Sequence, residues 1–125
     1  MLAVSYHKNA QMNWTNLENT TQLEDIKKES HSQPIMIFKH STRCSISGMA
    51  IDRLTRSWKE SETSHIKPYY LDLISYRQIS NQIAEEFGVQ HESPQVILVK
   101  DGKAVYDTSH MGINYKEILS ESSSL

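Results

Sequence analysis

Pro34-Ile35-Met36-Ile37-Phe38-Lys39-His40-Ser41-Thr42-Arg43-Cys44-Ser45-Ile46-Ser47 is the stretch on which the fold turns. Ile35 to Phe38 is a short apolar run behind a proline, β-branched at two positions and too brief for a buried helix. It reads as a central strand. Beyond it, Ile46, Met49, Ala50, Leu54 and Trp58 recur at helical spacing and predict a helix over 46–58 with one apolar face. Cys44 therefore falls between the end of a strand and the start of a helix.

Upstream, Trp14 to Leu17 reads as a short edge strand. Thr21-Gln22-Leu23-Glu24 has the form of a capping box, opening a helix that runs to about Glu29. Downstream, Ile66 to Leu73 reads as a strand that Pro68, lacking an N–H, pushes toward a sheet edge or a bulge. Ser75-Tyr76-Arg77-Gln78 repeats the capping-box pattern. Ile79, Ile83, Ala84 and Phe87 then line one helical face, and Gly88 suits the left-handed position that ends it. Val96 to Lys100 and Ala104 to Thr108 flank Asp101-Gly102, a strong hairpin signal. A last helix is expected over Asn114 to Leu119. Ser5 to Asn13 and the tail Glu121 to Leu125 have little to bury and are expected to fray.

In order this is β-α-β-α-β-α-β-β-α, an α/β domain with a mostly parallel sheet, helices on both faces and a late antiparallel hairpin. The order matches a thioredoxin-like architecture, although order alone fits other small α/β domains. The 125 residues suffice for one domain, with its ordered core at about 14–119.

Thirteen Lys and Arg against fifteen Asp and Glu leave no basic stripe for nucleic acid. The single cysteine excludes an intramolecular disulfide framework and a Cys-rich zinc site. Ser5, Tyr6 and His7 interrupt the opening Met1-Leu2-Ala3-Val4, so no secretory signal is read there. The longest apolar run, Pro34 to Phe38, is far too short to span a membrane. The expected setting is the reducing cytoplasm, with Cys44 a free thiol or thiolate.

Active residues of a parallel α/β sheet gather beyond the carboxyl ends of its strands, and a helix start offers unpaired N–H groups and a positive dipole end. Both favour a thiolate, and cysteines so placed reach pKa values of roughly 3.5–7.5. Arg43, with Lys39 and His40 upstream, adds positive charge. A lone cysteine is also commonly a small buried hydrophobe, but the neighbours here are Ser41, Thr42, Arg43, Ser45 and Ser47. Cys44-Ser45-Ile46-Ser47 is a C-x-x-C redox motif with oxygen in place of the second sulfur. A dithiol cycle within one chain is then impossible, while exchange with a mixed disulfide needs only one attacking thiolate. Ser47 either hydrogen-bonds that thiolate or plays a cap-like structural part.

Ser93-Pro94, before Gln95-Val96-Ile97, suits a cis peptide in a tight turn or a trans proline opening a strand, and the cysteine context favours cis. His7, His31 and His65 sit in polar stretches and read as solvated. His40, His91 and His110 lie near strand ends or the proline loop, where any of them could reach Cys44. No H-x-x-x-H spacing supports a metal site, so none is expected. Tyr69, Tyr70 and Trp58 read as core.

Several strings together resemble the monothiol bacilliredoxins: Lys39-His40-Ser41-Thr42-Arg43-Cys44, the continuing Ile46-Ser47, His91-Glu92-Ser93-Pro94-Gln95, and Ser109-His110. These are thioredoxin-like bacterial proteins that use bacillithiol in place of glutathione, and the resemblance spans about 14–119. It implies a thioredoxin-like fold and a cytoplasmic disulfide reductase whose cysteine, here Cys44, removes bacillithiol from S-bacillithiolated proteins. Bacillithiol is then a co-substrate, with no tightly bound cofactor. The partners are bacillithiolated clients and bacillithiol or a reductase, not nucleic acid or membrane. Lys39 and Arg43 are candidates to meet the carboxylates of bacillithiol's malate. His40, Thr42 and Ser47 are candidates to support the cysteine. The loop of His91, Ser93, Pro94 and Gln95 is the candidate to align the mixed disulfide. The family motif reads T-C-P-I-S, and Ser45 stands where its proline is expected. A second reading is a monothiol glutaredoxin-like protein holding an iron–sulfur cluster at a dimer interface, although Ser45 and Ile46 replace that motif's Gly-Phe pair. A third is a thiol sensor read by a partner.

Overall fold

The computed structural model describes residues 12–125. The expectation for Ser5 to Gln11 lies outside them. The elements in chain order are β1 (Thr15–Asn16), α1 (Thr21–Glu29), β2 (Ile35–His40), α2 (Ser45–Ser57) and α3 (Glu60–Thr63). There follow β3 (Lys67–Asp72), α4 (Arg77–Phe87), β4 (Gln95–Lys100), β5 (Lys103–Ser109), a 3-10 turn (His110–Gly112) and α5 (Tyr115–Ser123). Five strands form one mixed sheet in the order β1-β3-β2-β4-β5, with β2 central. β1 and β2 run parallel to β3, whereas β4 is antiparallel to both β2 and β5, so the sheet is half antiparallel.

Strand alternation divides the core in two. Met36 and Phe38 of β2 and Val96 and Leu98 of β4 face α2 and α5, meeting Ala50, Leu54, Trp58 and Ile118. Ile35, Ile37, Ile97 and Val99 face the other way, against Leu23 and Ile26 of α1 and Ile79 and Ile83 of α4. Helices thus cover both faces, and Trp58, Tyr69 and Tyr70 are buried as expected.

Pro68 does not mark an edge. β3 lies inside the sheet, and Lys67 N–H donates to the Pro34 carbonyl on the β2 side. Alternation turns the Pro68 nitrogen toward β1, which pairs only with Tyr69 and Tyr70, so no ladder donor is needed there.

Both capping boxes give way to other solutions. At α1, Asn19 Oδ1 accepts from Gln22 N–H at 3.2 Å while Gln22 Oε1 accepts from Asn19 N–H at 3.1 Å, two residues ahead of the pair read from sequence. At α4 the N-cap is Tyr76 and no side chain caps it; Ser75 Oγ instead donates to Asp72 Oδ2 at 2.9 Å, and Asp72 Oδ1 accepts from Ile74 N–H at 3.1 Å in an Asx turn ahead of the helix. Gly88 does end α4 in the left-handed region, at φ 66°. Asp101 and Gly102 both take positive φ in the two-residue hairpin turn closed by Lys100 and Lys103.

The tail does not fray at Glu121. α5 continues to Ser123 because Ser122 is buried and its Oγ lies 3.1 Å from His65 Nε2, which also leaves His65 only partly solvated. At the other end Met12, within the stretch expected to fray, is buried in the core.

Candidate active site around Cys44

Three neighbouring strands bring their chemistry to one end of the sheet. β2 ends at His40 and leads into Ser41–Cys44, and the antiparallel register pairs Lys39 with Gln95. The Ser93-Pro94 peptide, which is cis, therefore enters β4 beside the exit of β2. Gln95 in turn pairs with Ser109, and His110 N–H donates to the Pro94 carbonyl at 3.0 Å. The cysteine loop, the proline loop and the 3-10 turn thus form one rim.

Cys44 is the N-cap of α2, in extended backbone (φ −112°, ψ 121°), and its carbonyl accepts the first helical bond from Gly48 N–H at 3.0 Å. Its side chain caps nothing, so the N–H groups of the first turn lie at the sulfur's end of the helix without intrahelical acceptors. The thiol is half-buried and free, and among the described residues no side chain hydrogen-bonds it. Ser45 is the first helical residue and keeps the N–H that a proline would lack.

Ser47 commits its hydroxyl to the end of β2 and the turn after it, and makes no hydrogen bond to the sulfur. It is fully buried; its Oγ accepts from Ser41 N–H at 3.0 Å and lies 2.7 Å from His40 Nδ1. The cap-like structural part is the one it plays, tying the turn that presents Cys44 to the end of β2. His40 does not meet Cys44 either: it is buried beside Phe38 and Tyr70, with its ring centroid 5.8 Å from that of Tyr70. Burial is the main cause that lowers its pKa, against the opposing pull of Asp72 and Asp52. Thr42 and Arg43 are exposed on the loop.

Lys39 contradicts its expected part outright. It is 0% exposed and, by strand alternation, faces α4 instead of α2. Its Nζ donates to the Ser80 carbonyl at 3.3 Å and lies 3.4 Å from His91 Nδ1. A fully buried ammonium cannot meet a solvent-borne carboxylate, so Arg43 alone of the two proposed cations faces solvent. His91 is likewise drawn to Lys39 and to Ser80 Oγ, 3.3 Å away, and not toward the thiol. Gln95 is buried and holds its loop together: Oε1 accepts from Glu92 N–H at 3.4 Å and Nε2 donates to the Gln90 carbonyl at 3.1 Å. Ser93 Oγ is buried without a partner among the described residues. His110, at φ 54°, is exposed and lies 3.3 Å from Glu92 Oε1.

The sequence reading missed an apolar rim. Ile46 and Met49, assigned to the buried stripe of α2, are 49% and 62% exposed, and Met111 is 73% exposed. With Ala50, Arg53 and His110 they line a hollow of about 30 Å³. The first turns of α2 look onto the 3-10 turn, which had no sequence signal of its own.

Among the described residues no group of three His, Cys, Asp or Glu could hold a metal ion, and no helix is long and apolar enough to cross a membrane.

Residues 15–118 match the family model for the monothiol bacilliredoxin BrxC. The chain belongs to the bacilliredoxin BrxC family. Membership implies that bacillithiol figures in its chemistry. Among solved structures, a thioredoxin-fold protein taken to be an oxidoreductase is 29% identical, with a TM-score of 0.73 over 85% of this chain and 90% of that one. Oxidised mitochondrial thioredoxin 3 from Saccharomyces cerevisiae, 21% identical, gives a TM-score of 0.66 over 94% and 99% of the two chains. Fasciola hepatica thioredoxin, 17% identical, gives 0.65 over 87% and 96%. The fold of this BrxC-family chain is thioredoxin-like, and its family is one of oxidoreductases.

Proposed function

We propose that this bacilliredoxin-family protein removes bacillithiol from S-bacillithiolated proteins by exchange at one sulfur. The Cys44 thiolate attacks the bacillithiol-side sulfur of a protein–S–S–bacillithiol bond. The new bond joins Cys44 to bacillithiol, the old S–S bond breaks, and the client leaves as a thiolate that takes a proton from water. A second bacillithiol thiolate, or a partner reductase, then attacks the Cys44 mixed disulfide. With bacillithiol this yields bacillithiol disulfide and free Cys44, so the electrons come from the second thiol. The exposed Arg43 meets carboxylates of the incoming malate group, and the Ser93-Pro94 backbone aligns the mixed disulfide.

The observation that carries this reading is a lone, half-exposed thiol on the N-cap of α2, with the oxygen of Ser47 turned inward where a resolving sulfur would otherwise be. Such a thiol can start an exchange but cannot finish it alone. The test is to incubate a bacillithiolated client with the protein and follow adduct masses with time. Bacillithiol should pass from client to Cys44, over many turnovers once free bacillithiol is supplied. Transfer that persists in Cys44→Ser would defeat the proposal, and a single stoichiometric modification without turnover would point to a sensor.

A further inference from the structure

Lys39 carries a charge in a place where the proposed exchange does not use it. Its side chain is fully buried on the face of the sheet away from α2, and among the described residues no carboxylate pairs with it. Burying an ammonium is strongly unfavourable unless acceptors take up its protons. Two acceptors stand at Nζ: the Ser80 carbonyl of α4 at 3.3 Å, and His91 Nδ1 at 3.4 Å. An ammonium has only donors, so the second contact requires an unprotonated Nδ1. Ser80 Oγ–H, 3.3 Å from the same nitrogen, offers a further donor. His91 begins the segment His91-Glu92-Ser93-Pro94, which Gln95 closes from below through Glu92 N–H and the Gln90 carbonyl.

We propose that Lys39 is a positioning residue: its ammonium clamps neutral His91 against α4 and so holds the Ser93-Pro94 loop at the rim where Cys44 exchanges. The inference rests on the reading of Cys44 given above. Its consequence is that the loop is held only while His91 is uncharged. A proton on Nδ1 would set two cations 3.4 Å apart and remove the acceptor. The groups facing the pair are Arg77 and Ser80 of α4, Glu92 of the loop, Gln95 of β4 and Leu71 of β3. Only Glu92 favours the charged imidazole, and it is also 3.3 Å from His110 Nε2. Burial lowers the pKa of His91, helped by Lys39 and Arg77; burial lowers that of Lys39 to about 8, which leaves it mostly charged at neutral pH.

Two measurements test this. In the unaltered protein, nitrogen NMR of the His91 ring at pH 7.5 should report the Nε2–H tautomer; a proton on Nδ1 would overturn the inference whatever Cys44 does. Exchange of a bacillithiolated client is then measured from pH 5 to 8 and divided, at each pH, by the rate of Cys44 alkylation, which cancels the thiolate fraction. The ratio should fall about tenfold per pH unit below the NMR midpoint of His91, as expected for one required deprotonation. In Lys39→Met, which has no ammonium to hold the ring, that midpoint should move up, while the ratio should already be reduced severalfold at pH 7.5 and should lose its fall with pH. In His91→Gln, whose amide oxygen can accept from Lys39 but cannot titrate, the fall should vanish. A ratio that is flat in the unaltered protein, or unchanged in both variants, would refute the clamp. Exchange surviving in Cys44→Ser would instead refute the reading beneath it.

Discussion

Replacing Ser47 by alanine should destabilise the protein by about 2–3 kcal/mol without opening a large cavity. Ser47 Oγ is fully buried and serves two groups, Ser41 N–H at 3.0 Å and His40 Nδ1 at 2.7 Å. Losing the hydroxyl strands both, and a fully desolvated unpaired group costs about 1–3 kcal/mol. The imidazole is hemmed in by Phe38 and Tyr70 and has little access to water, so it bears nearly the whole penalty. Ser41 is half-buried and recovers part of its loss from solvent. Urea unfolding followed by far-UV circular dichroism reads the effect directly. With a slope of about 2 kcal/mol/M, typical of a domain this size, the midpoint should fall by about 1–1.5 M at constant slope. Ser45→Ala, at an exposed position of the same turn, is the control and should stay within about 0.5 kcal/mol. A Ser47→Ala midpoint no lower than that control would show that the hydroxyl does not brace the turn.

Acidification should weaken the fold. His40 and His91 both have lowered pKa values, so the unfolded chain binds more protons than the folded one below about pH 6.5. Their contribution is present above that pH and lost as pH falls through the folded values, by at most about 1.4 kcal/mol per pH unit for each histidine. Urea melts at pH 7.5 and 5.5 should show this, with a shallower dependence in His91→Gln. Arg43→Ala should raise KM for a bacillithiolated client about 1.5- to 5-fold, the range of an exposed ion pair, in steady-state assays at low salt. Asn114→Ala should cost about 1 kcal/mol in thermal unfolding, because its side chain accepts from Glu117 N–H at 3.0 Å at the start of α5. Gly88→Ala should cost about 1–2 kcal/mol from backbone strain alone, since φ is 66° and nothing lies within 4 Å of an added Cβ.

Local chemistry was legible, and partners distant in sequence were not. Asp101-Gly102 declares its hairpin because few dipeptides tolerate positive φ at both positions, and Gly88 ends α4 for the same reason. The placement of Cys44 on a helix start follows from the apolar run before it and the helical stripe after it. Lys39 misleads because the apolar run stops at Phe38, so a charged residue reads as the beginning of a loop. The strand runs two residues further, to His40, because the acceptors for Lys39 arrive from 41 and 52 residues away. Ile46 and Met49 keep the period of the buried stripe but sit in its first turns, against the 3-10 turn that no pattern announces. Periodicity gives the direction of a side chain and not what stands opposite it.

The two faces of β2 divide the work between them, and under the proposed exchange this leaves one sulfur to react. On the α2 face, His40 and Ser47 brace the turn beneath Cys44 and occupy the place from which a second thiol could resolve a mixed disulfide. On the opposite face, Lys39 reaches through His91 toward the proline loop. Neither side supplies a second nucleophile, so under the proposed exchange the lifetime of the Cys44 mixed disulfide is set by a thiol arriving from solution. Its breakdown should therefore be first order in added bacillithiol, with no zero-thiol intercept, when the loaded protein is followed by mass. A thiol-independent decay would mean that some group of the chain itself resolves the bond, and the braced-serine account of position 47 would fail with it.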